Sequence, residues 1–258
     1  METLVNRPAA AYASYHMNTR PAPADALPLR PRRRNLFAQV VEELGSRIVR
    51  GDLGPDDPFP KEADLEQEFG VSRSVVREAV KALSAKGLLE SRTRTGIRAL
   101  SPIHWNLLDA EVLSWRYASM APLQFFTELF EVREMIEPEA SALAAERATS
   151  ADLAEIETAF GAMTDAREAN EPGIDADLRF HRGILAASRN PLLLQMGNLI
   201  SVGLYISHRF SKESFALFLP MHGEVMEAIS ARRPADARAA MQRLLSQTRD
   251  YMKDHIRE

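Results

Sequence analysis

The chain has 258 residues, 45% of them hydrophobic and 26% charged, which is ordinary for a soluble globular protein of one large or two modest domains. It contains no cysteine, which excludes disulfides, thiolate metal sites and cysteine nucleophiles. No apolar run approaches the roughly 20 residues that span a bilayer, and the start of the chain has no continuous apolar segment of the export type. The expectation is a cytoplasmic protein with no membrane contact. The net charge of −4 is uneven: residues 30–100 hold 14 Lys/Arg against 11 Asp/Glu, residues 101–258 hold 16 against 23. Only the mildly basic part is suited to a polyanion.

Residues 1–34 are rich in Ala and Pro without a sustained period, and read as a disordered tail. Arg30, Arg32, Arg33 and Arg34 close it, either as a solvated basic segment or as an arm touching phosphates or a minor groove. From Leu36 to Arg50 apolar residues recur at helical spacing, with Gly51 as the stop. A loop through Gly54, Pro55 and Pro58 leads to a short helix over about 61–69. Gly70 then turns the chain, and Ser72 is placed to cap a helix running to about Lys86. Gly87 ends that helix, and Leu88–Leu100, with Gly96 between Thr95 and Ile97, reads as a two-stranded hairpin. Helix, short helix, turn, helix, hairpin is the order of a winged helix-turn-helix over residues 35–100.

After Pro102 the pattern is almost unbroken helix. Helices are predicted near 105–118, 122–147, 151–169, 173–188, 191–210, 213–231 and 234–256, with Pro138 placed to kink the second. Nothing in this stretch alternates like a strand. The fold class expected is mainly α: a winged helix-turn-helix, then an all-α bundle of six or seven helices over residues 101–258.

On the helix after Gly70, Val75, Val76, Ala79, Val80 and Leu83 form the inward stripe. Arg73, Arg77 and Lys81 fall at i, i+4 and i+8 on the opposite face, and Ser72 and Ser74 sit at its N-terminus, where backbone N–H groups favour phosphate. Arg can bridge guanine O6 and N7 or hold a phosphate, and Ser can hydrogen-bond either. The bland alternative is a solvated amphipathic face, which the preceding helix-turn and following hairpin make the weaker reading.

The segment Phe59-Pro-Lys-Glu-Ala-Asp-Leu-Glu-Gln-Glu-Phe-Gly-Val-Ser-Arg-Ser-Val-Val-Arg-Glu-Ala-Val-Lys-Ala-Leu, with Gly87-Leu-Leu-Glu after it, resembles the DNA-binding domain of GntR-type regulators over residues 36–100. The resemblance implies that Ser72, Arg73, Ser74 and Arg77 meet operator DNA, Lys81 sharing their cationic face by its spacing alone, and that a wing around Arg94 and Gly96 enters the minor groove. Many relatives carry a base-reading Arg where this chain has Ala63. One short recognition helix reads few bases, so a homodimer on a pseudo-palindrome is expected.

In the helical part, Asp177 and His181 are four apart in Asp177-Leu-Arg-Phe-His181, so that a carboxylate and an imidazole converge on one point. His222 begins the run His222-Gly-Glu-Val-Met-Glu-Ala-Ile229. Arg133, in Glu131-Val-Arg-Glu-Met-Ile-Glu-Pro138, lies amid apolar neighbours, where an unpaired guanidinium is costly. Spacing alone leaves open whether the Asp/His pair is a site or an ordinary contact. Residues 107–258 resemble the FCD effector domain of the FadR-like branch, which implies a divalent metal (Zn, Mn or Ni) held by Asp177, His181 and His222. The family's fourth ligand place falls on Leu244, so the implied site is a three-residue one or absent. Arg133 matches the Arg that meets an effector's carboxylate.

Trp105-Asn-Leu-Leu-Asp-Ala-Glu-Val-Leu-Ser-Trp115 and Ala145-Glu-Arg-Ala-Thr-Ser-Ala-Asp-Leu153 are similar to the galactonate-operon group of these repressors. That implies an aldonate or similar sugar acid as effector. Trp105 and Trp115 themselves read as core and interdomain packing. The alternatives are an acyl-CoA sensor of the same family and a helical-bundle metalloenzyme. The latter would need paired Glu-x-x-His motifs, and neither these nor a phosphate loop or nucleophile elbow is present. No enzymatic activity is expected.

Overall fold

The computed structural model describes residues 35–92, 96–166, 171–210 and 213–256. The tail expected over residues 1–34 and the wing residue Arg94 lie outside the described residues. Helix α1 (Leu36–Arg50) starts at Asn35, whose side chain accepts the Ala38 N–H at 2.8 Å, and it buries Val40, Val41, Leu44, Ile48 and Val49. Helices α2 (Glu62–Phe69) and α3 (Arg73–Ala85) follow, then strands β1 (Leu89–Arg92) and β2 (Gly96–Ala99). The strands pair antiparallel, with Leu89 opposite Ala99 and Arg92 opposite Gly96. Val76, Ala79, Val80 and Leu83 of α3 close onto α1 in one small core, together with Leu65 and Leu88.

Ser72 stands at the N-cap position, with extended backbone, but its side chain caps nothing. Its hydroxyl pairs with that of Ser74 at 2.9 Å, the adjacent hydroxyl having replaced the backbone amide as partner. Gly87 is in the left-handed region at φ +76°, and a Cβ there would lie 2.1 Å from the His104 carbonyl oxygen. Only glycine meets both demands at that crossing.

The linker departs from expectation. Residues 105–109 are not helical: after a 3-10 turn at Pro102–His104, helix α4 runs over Ala110–Ser119. Asp109 sets the start by accepting the N–H groups of Glu111 and Val112 at 3.0 and 3.2 Å. Trp105 donates its indole N–H to the Leu100 carbonyl at 2.9 Å. Lys86 bridges Asp109 at 2.6 Å and Glu111 at 2.8 Å, tying the end of α3 to the start of α4. Trp115 of α4 is buried in the first core. Its ring would lie 2.4 Å from a Cβ at Gly45, so α1 needs glycine there for the indole to seat.

The second core is built by α5 (Pro122–Arg147), α6 (Ser150–Ala166), α7 (Glu171–Ala187), α8 (Pro191–Gln195), α9 (Gly197–Phe210), α10 (Glu213–Ser230) and α11 (Pro234–His255). Helix α5 is central: it packs against α7, α9, α10 and α11, and it runs unbroken past Pro138. The single helix expected over 191–210 is two, separated at Met196. Helix α4 packs on α1 and on α9, so it touches both halves of the molecule. No described helix is long and apolar enough to cross a membrane.

Candidate functional site

Two groups of side chains carry chemistry. The first is the outer face of α3. Arg73, Arg77 and Lys81 have side chains 70%, 60% and 68% exposed, so the face opposite the buried stripe is cationic and solvated. Glu62 at the start of α2 stands between two of them, with its oxygens 3.1 Å from Arg73 Nε and 3.9 Å from Arg77 Nε. Lys81 pairs with Glu78 at 2.8 Å. These exposed pairs hold little energy each, about 0.2–1 kcal/mol, so a phosphate or base edge can displace them. Gly96 is exposed at φ +81° with open space around it, at the hairpin's second strand. The structure therefore exposes Arg73, Arg77 and Lys81 on one face of α3, with Ser72 and Ser74 exposed at its N-terminal end.

The second group is buried at the heart of the helical bundle. Asp177 and His181 lie one turn apart on α7, and His222 lies on α10, one turn beyond Phe218. His181 Nε2 and His222 Nε2 are 3.4 Å apart, and Asp177 Oδ1 lies 3.4 Å from the first and 3.2 Å from the second. All three residues are buried. The other nitrogen of each ring is already committed. His222 Nδ1 donates to the Phe218 carbonyl at 2.8 Å, and His181 Nδ1 bonds Glu137 Oε2. Each ring thus turns Nε2 to the common point, the tautomer that metal ligation needs. Three donors on a tetrahedral zinc with bonds of 2.0–2.1 Å are about 3.3 Å apart, against about 2.9 Å for an octahedral ion with the same bonds. The three edges seen here fit the tetrahedral spacing. This is a buried Asp/His/His group able to hold a metal ion.

Arg133 of α5 adjoins it. Its side chain is 2% exposed, lies with its guanidinium carbon 4.7 Å from the Phe130 ring centroid, and donates from Nε to Glu137 Oε1 at 2.6 Å. Its Nη1 is buried with no hydrogen-bond partner among the described residues. A buried charged donor without a partner is costly, so this nitrogen awaits an acceptor. Arg133, Asp177, His181 and His222 line one cavity of about 30 Å³, walled otherwise by Leu204, Phe215, Phe218, Leu244, Leu245 and Thr248 among the described residues. That volume admits an ion or a water or two, so a larger guest enters only as the apolar walls move.

Glu137 was not singled out in the sequence, although it stands four residues after Arg133 and immediately before Pro138. It is 2% exposed and bridges Arg133 and His181. Burial alone would raise its carboxyl, but the charges of Arg133 and His181 outweigh it and hold the group down at about 2. For the metal-free ring of His181, burial works against the charge, while Glu137 and Asp177 outweigh it and raise the group to about 9. The visible signal was the Arg-x-x-x-Glu spacing, whose i, i+4 geometry stacks the two side chains on one face.

The pattern of bacterial regulatory proteins of the gntR family matches residues 36–98, and that of the FCD domain matches residues 128–247. The galactonate operon transcriptional repressor of Escherichia coli is 38% identical over 167 residues, 65% of this chain and 73% of the relative. The regulator LutR of Bacillus subtilis is 32% identical over 219 residues, 82% of this chain and 98% of the relative. The chain belongs to the GntR family of transcriptional regulators, with an FCD domain. The structure of Lar, which controls expression of the Listeria monocytogenes agr system, superposes with a TM-score of 0.61 at 20% identity. The match covers 84% of this chain and 96% of that one, which shows the shared fold. As a GntR-family regulator the chain is a DNA-binding protein and not an enzyme.

Proposed function

We propose that the protein is a cytoplasmic, homodimeric repressor of sugar-acid catabolism, released from its operator when a small carboxylate enters the cavity beside Arg133. Residues 35–100 read DNA in this scheme and residues 101–258 sense the effector. The observation that carries it is the buried Nη1 of Arg133, without a partner, on a cavity it shares with Asp177, His181 and His222. A carboxylate supplies the acceptor this nitrogen lacks, with charge assistance. Similarity to a galactonate operon repressor favours an aldonate.

A divalent metal, Zn, Mn or Ni, would be held by Asp177 Oδ1 and the Nε2 atoms of His181 and His222, where it would supply Lewis acidity for a hydroxy-carboxylate. Leu244, buried on the same cavity wall, offers no fourth donor, so the remaining position is open to the effector. On the DNA side, Ser72, Arg73, Ser74, Arg77 and Lys81 enter the major groove, and the hairpin at Gly96 is the wing.

Effector binding can shift the operator equilibrium only if it prefers one arrangement of the dimer. Helix α4 is placed to convey that preference, being packed against α9 of the sensing bundle and sealed by Trp115 into the DNA-binding core.

The test is a titration of the operator complex with aldonates, other sugar acids and acyl-CoAs, read as DNA release. Release by an aldonate at concentrations that leave random-sequence binding unchanged is the expected result. Release by acyl-CoA alone, or by no carboxylate, refutes it.

A further inference from the structure

We infer that Glu137 is the positioning residue that sets both arms of the buried site, an inference resting on the metal-and-carboxylate reading given above. Its two oxygens are divided: Oε1 accepts Arg133 Nε at 2.6 Å, and Oε2 takes Nδ1 of His181. The first bond fixes the plane of the guanidinium whose Nη1 has no partner. The second fixes the tautomer and the rotation of the imidazole whose Nε2 faces Asp177 and His222.

The two histidines are oriented by unlike means. His222 leans on a backbone carbonyl of its own helix, Phe218, which cannot move without unwinding α10. His181 depends on a side chain of another helix, α5, through a single rotatable carboxylate. A carboxylate accepting from a ligand imidazole also raises that ring's basicity, so the His181 donor gains strength as well as direction. Because one carboxylate holds both, any shift that carries Arg133 towards an effector carboxylate is passed through Glu137 to the His181 ring. The anion arm and the metal arm are mechanically one unit.

An amide at this position has the shape of the carboxylate but one acceptor oxygen in place of two, so Glu137→Gln can satisfy only one of its two donors. The experiment is calorimetric titration of the full-length, metal-free protein with Zn²⁺ alone, comparing wild type with Glu137→Gln and with Ser141→Ala. The latter removes a neighbouring buried hydroxyl, one turn along α5, which bonds only the Glu137 carbonyl. Zinc affinity falls 10–100-fold in Glu137→Gln, the range for an outer-shell partner of a ligand histidine, and stays within threefold in Ser141→Ala.

A merely structural role would instead lower the metal-free melting temperature of both variants in step with their zinc affinity. The second readout needs no variant: histidine ¹⁵N spectra of the zinc-loaded wild type show His181 protonated at Nδ1 and bound through Nε2. Wild-type-like zinc affinity in Glu137→Gln, or His181 protonated at Nε2, overturns the assignment of Glu137 while leaving the metal site standing. Absence of zinc binding by the wild type overturns the metal reading itself, and this inference with it.

Discussion

Leu244→His offers a direct test of how the buried cluster is built, because it places an imidazole where the open position is proposed to be. Leu244 is 2% exposed and shares the cavity wall with all three candidate ligands. In metal-free protein the substitution gives up the burial of a leucine and leaves an imidazole without a partner. Together these cost about 3 kcal/mol, or roughly 6–12 °C in melting temperature at about 2–4 °C per kcal/mol for a unit of this size. Zinc stabilises both proteins, so it narrows the gap only by their difference in affinity, about 1.4 kcal/mol for each tenfold tighter binding by the variant. The variant therefore melts below wild type in chelator, and the deficit shrinks in saturating zinc as far as its binding is the tighter.

Two further measurements separate ligation from general stabilisation. Calorimetry should show tighter zinc binding in Leu244→His than in wild type. An aldonate should strengthen zinc binding in wild type and fail to do so in the variant, because a fourth protein ligand closes the position the hydroxy-acid would take. Zinc binding by the variant that is equal to or weaker than wild type would refute the reasoning, since it would place residue 244 away from the coordination sphere.

Other outcomes follow from particular contacts. Arg73→Ala should weaken operator binding by about 1–3 kcal/mol if the side chain meets a base edge; equal loss on operator and random DNA in a gel-shift series would reduce it to a phosphate contact. Arg133→Lys keeps a cation beside Glu137 but loses the planar fork, so the protein should hold its operator and no longer release it with the effector. Normal release would take Arg133 out of the pocket. Alanine is a poorer choice there, because breaking a buried ion pair costs about 3–5 kcal/mol in its own right. Gly45→Ala drives a methyl into the Trp115 ring and should destabilise the DNA-binding core by about 1–3 kcal/mol, read as an earlier melting transition; an unchanged transition would mean that the indole is not seated as described.

How much of this was legible in the chain depended on whether the signal was local. Apolar spacing sufficed for α1 and α3, because each buries one continuous stripe. Turn chemistry at Gly51, Gly70 and Gly87 marked where α1, α2 and α3 stop, and all three glycines have positive φ. The linker was misread because Trp105-Asn-Leu-Leu carries helical spacing, while the capping carboxylate that starts the helix, Asp109, comes four residues later. The division at Met196 was hidden in an apolar run that satisfies a helix on either side. For the site, Asp177 and His181 could be paired from spacing alone, being one turn apart. His222, 41 residues beyond His181, could be joined to them only through family resemblance.

Glu137 shows the limit most clearly. Its spacing to Arg133 is an ordinary helical ion pair, of the kind that on a surface contributes little. What makes it consequential is burial between three helices, where Oε2 finds a histidine 44 residues away, and no pattern along α5 encodes that partner. A carboxylate in such a place could not persist as packing alone, since its desolvation must be offset by charge on both sides. Arg133 and His181 supply that charge, and the surplus hydrogen-bonding capacity of the trio then faces the cavity: one unpartnered Nη1 and one ring nitrogen directed at Asp177 and His222. The same requirement that stabilises the buried charges thus sets a donor for an anion beside an imidazole whose Nε2 proton a metal would displace, which is the arrangement a chelating hydroxy-carboxylate would recognise.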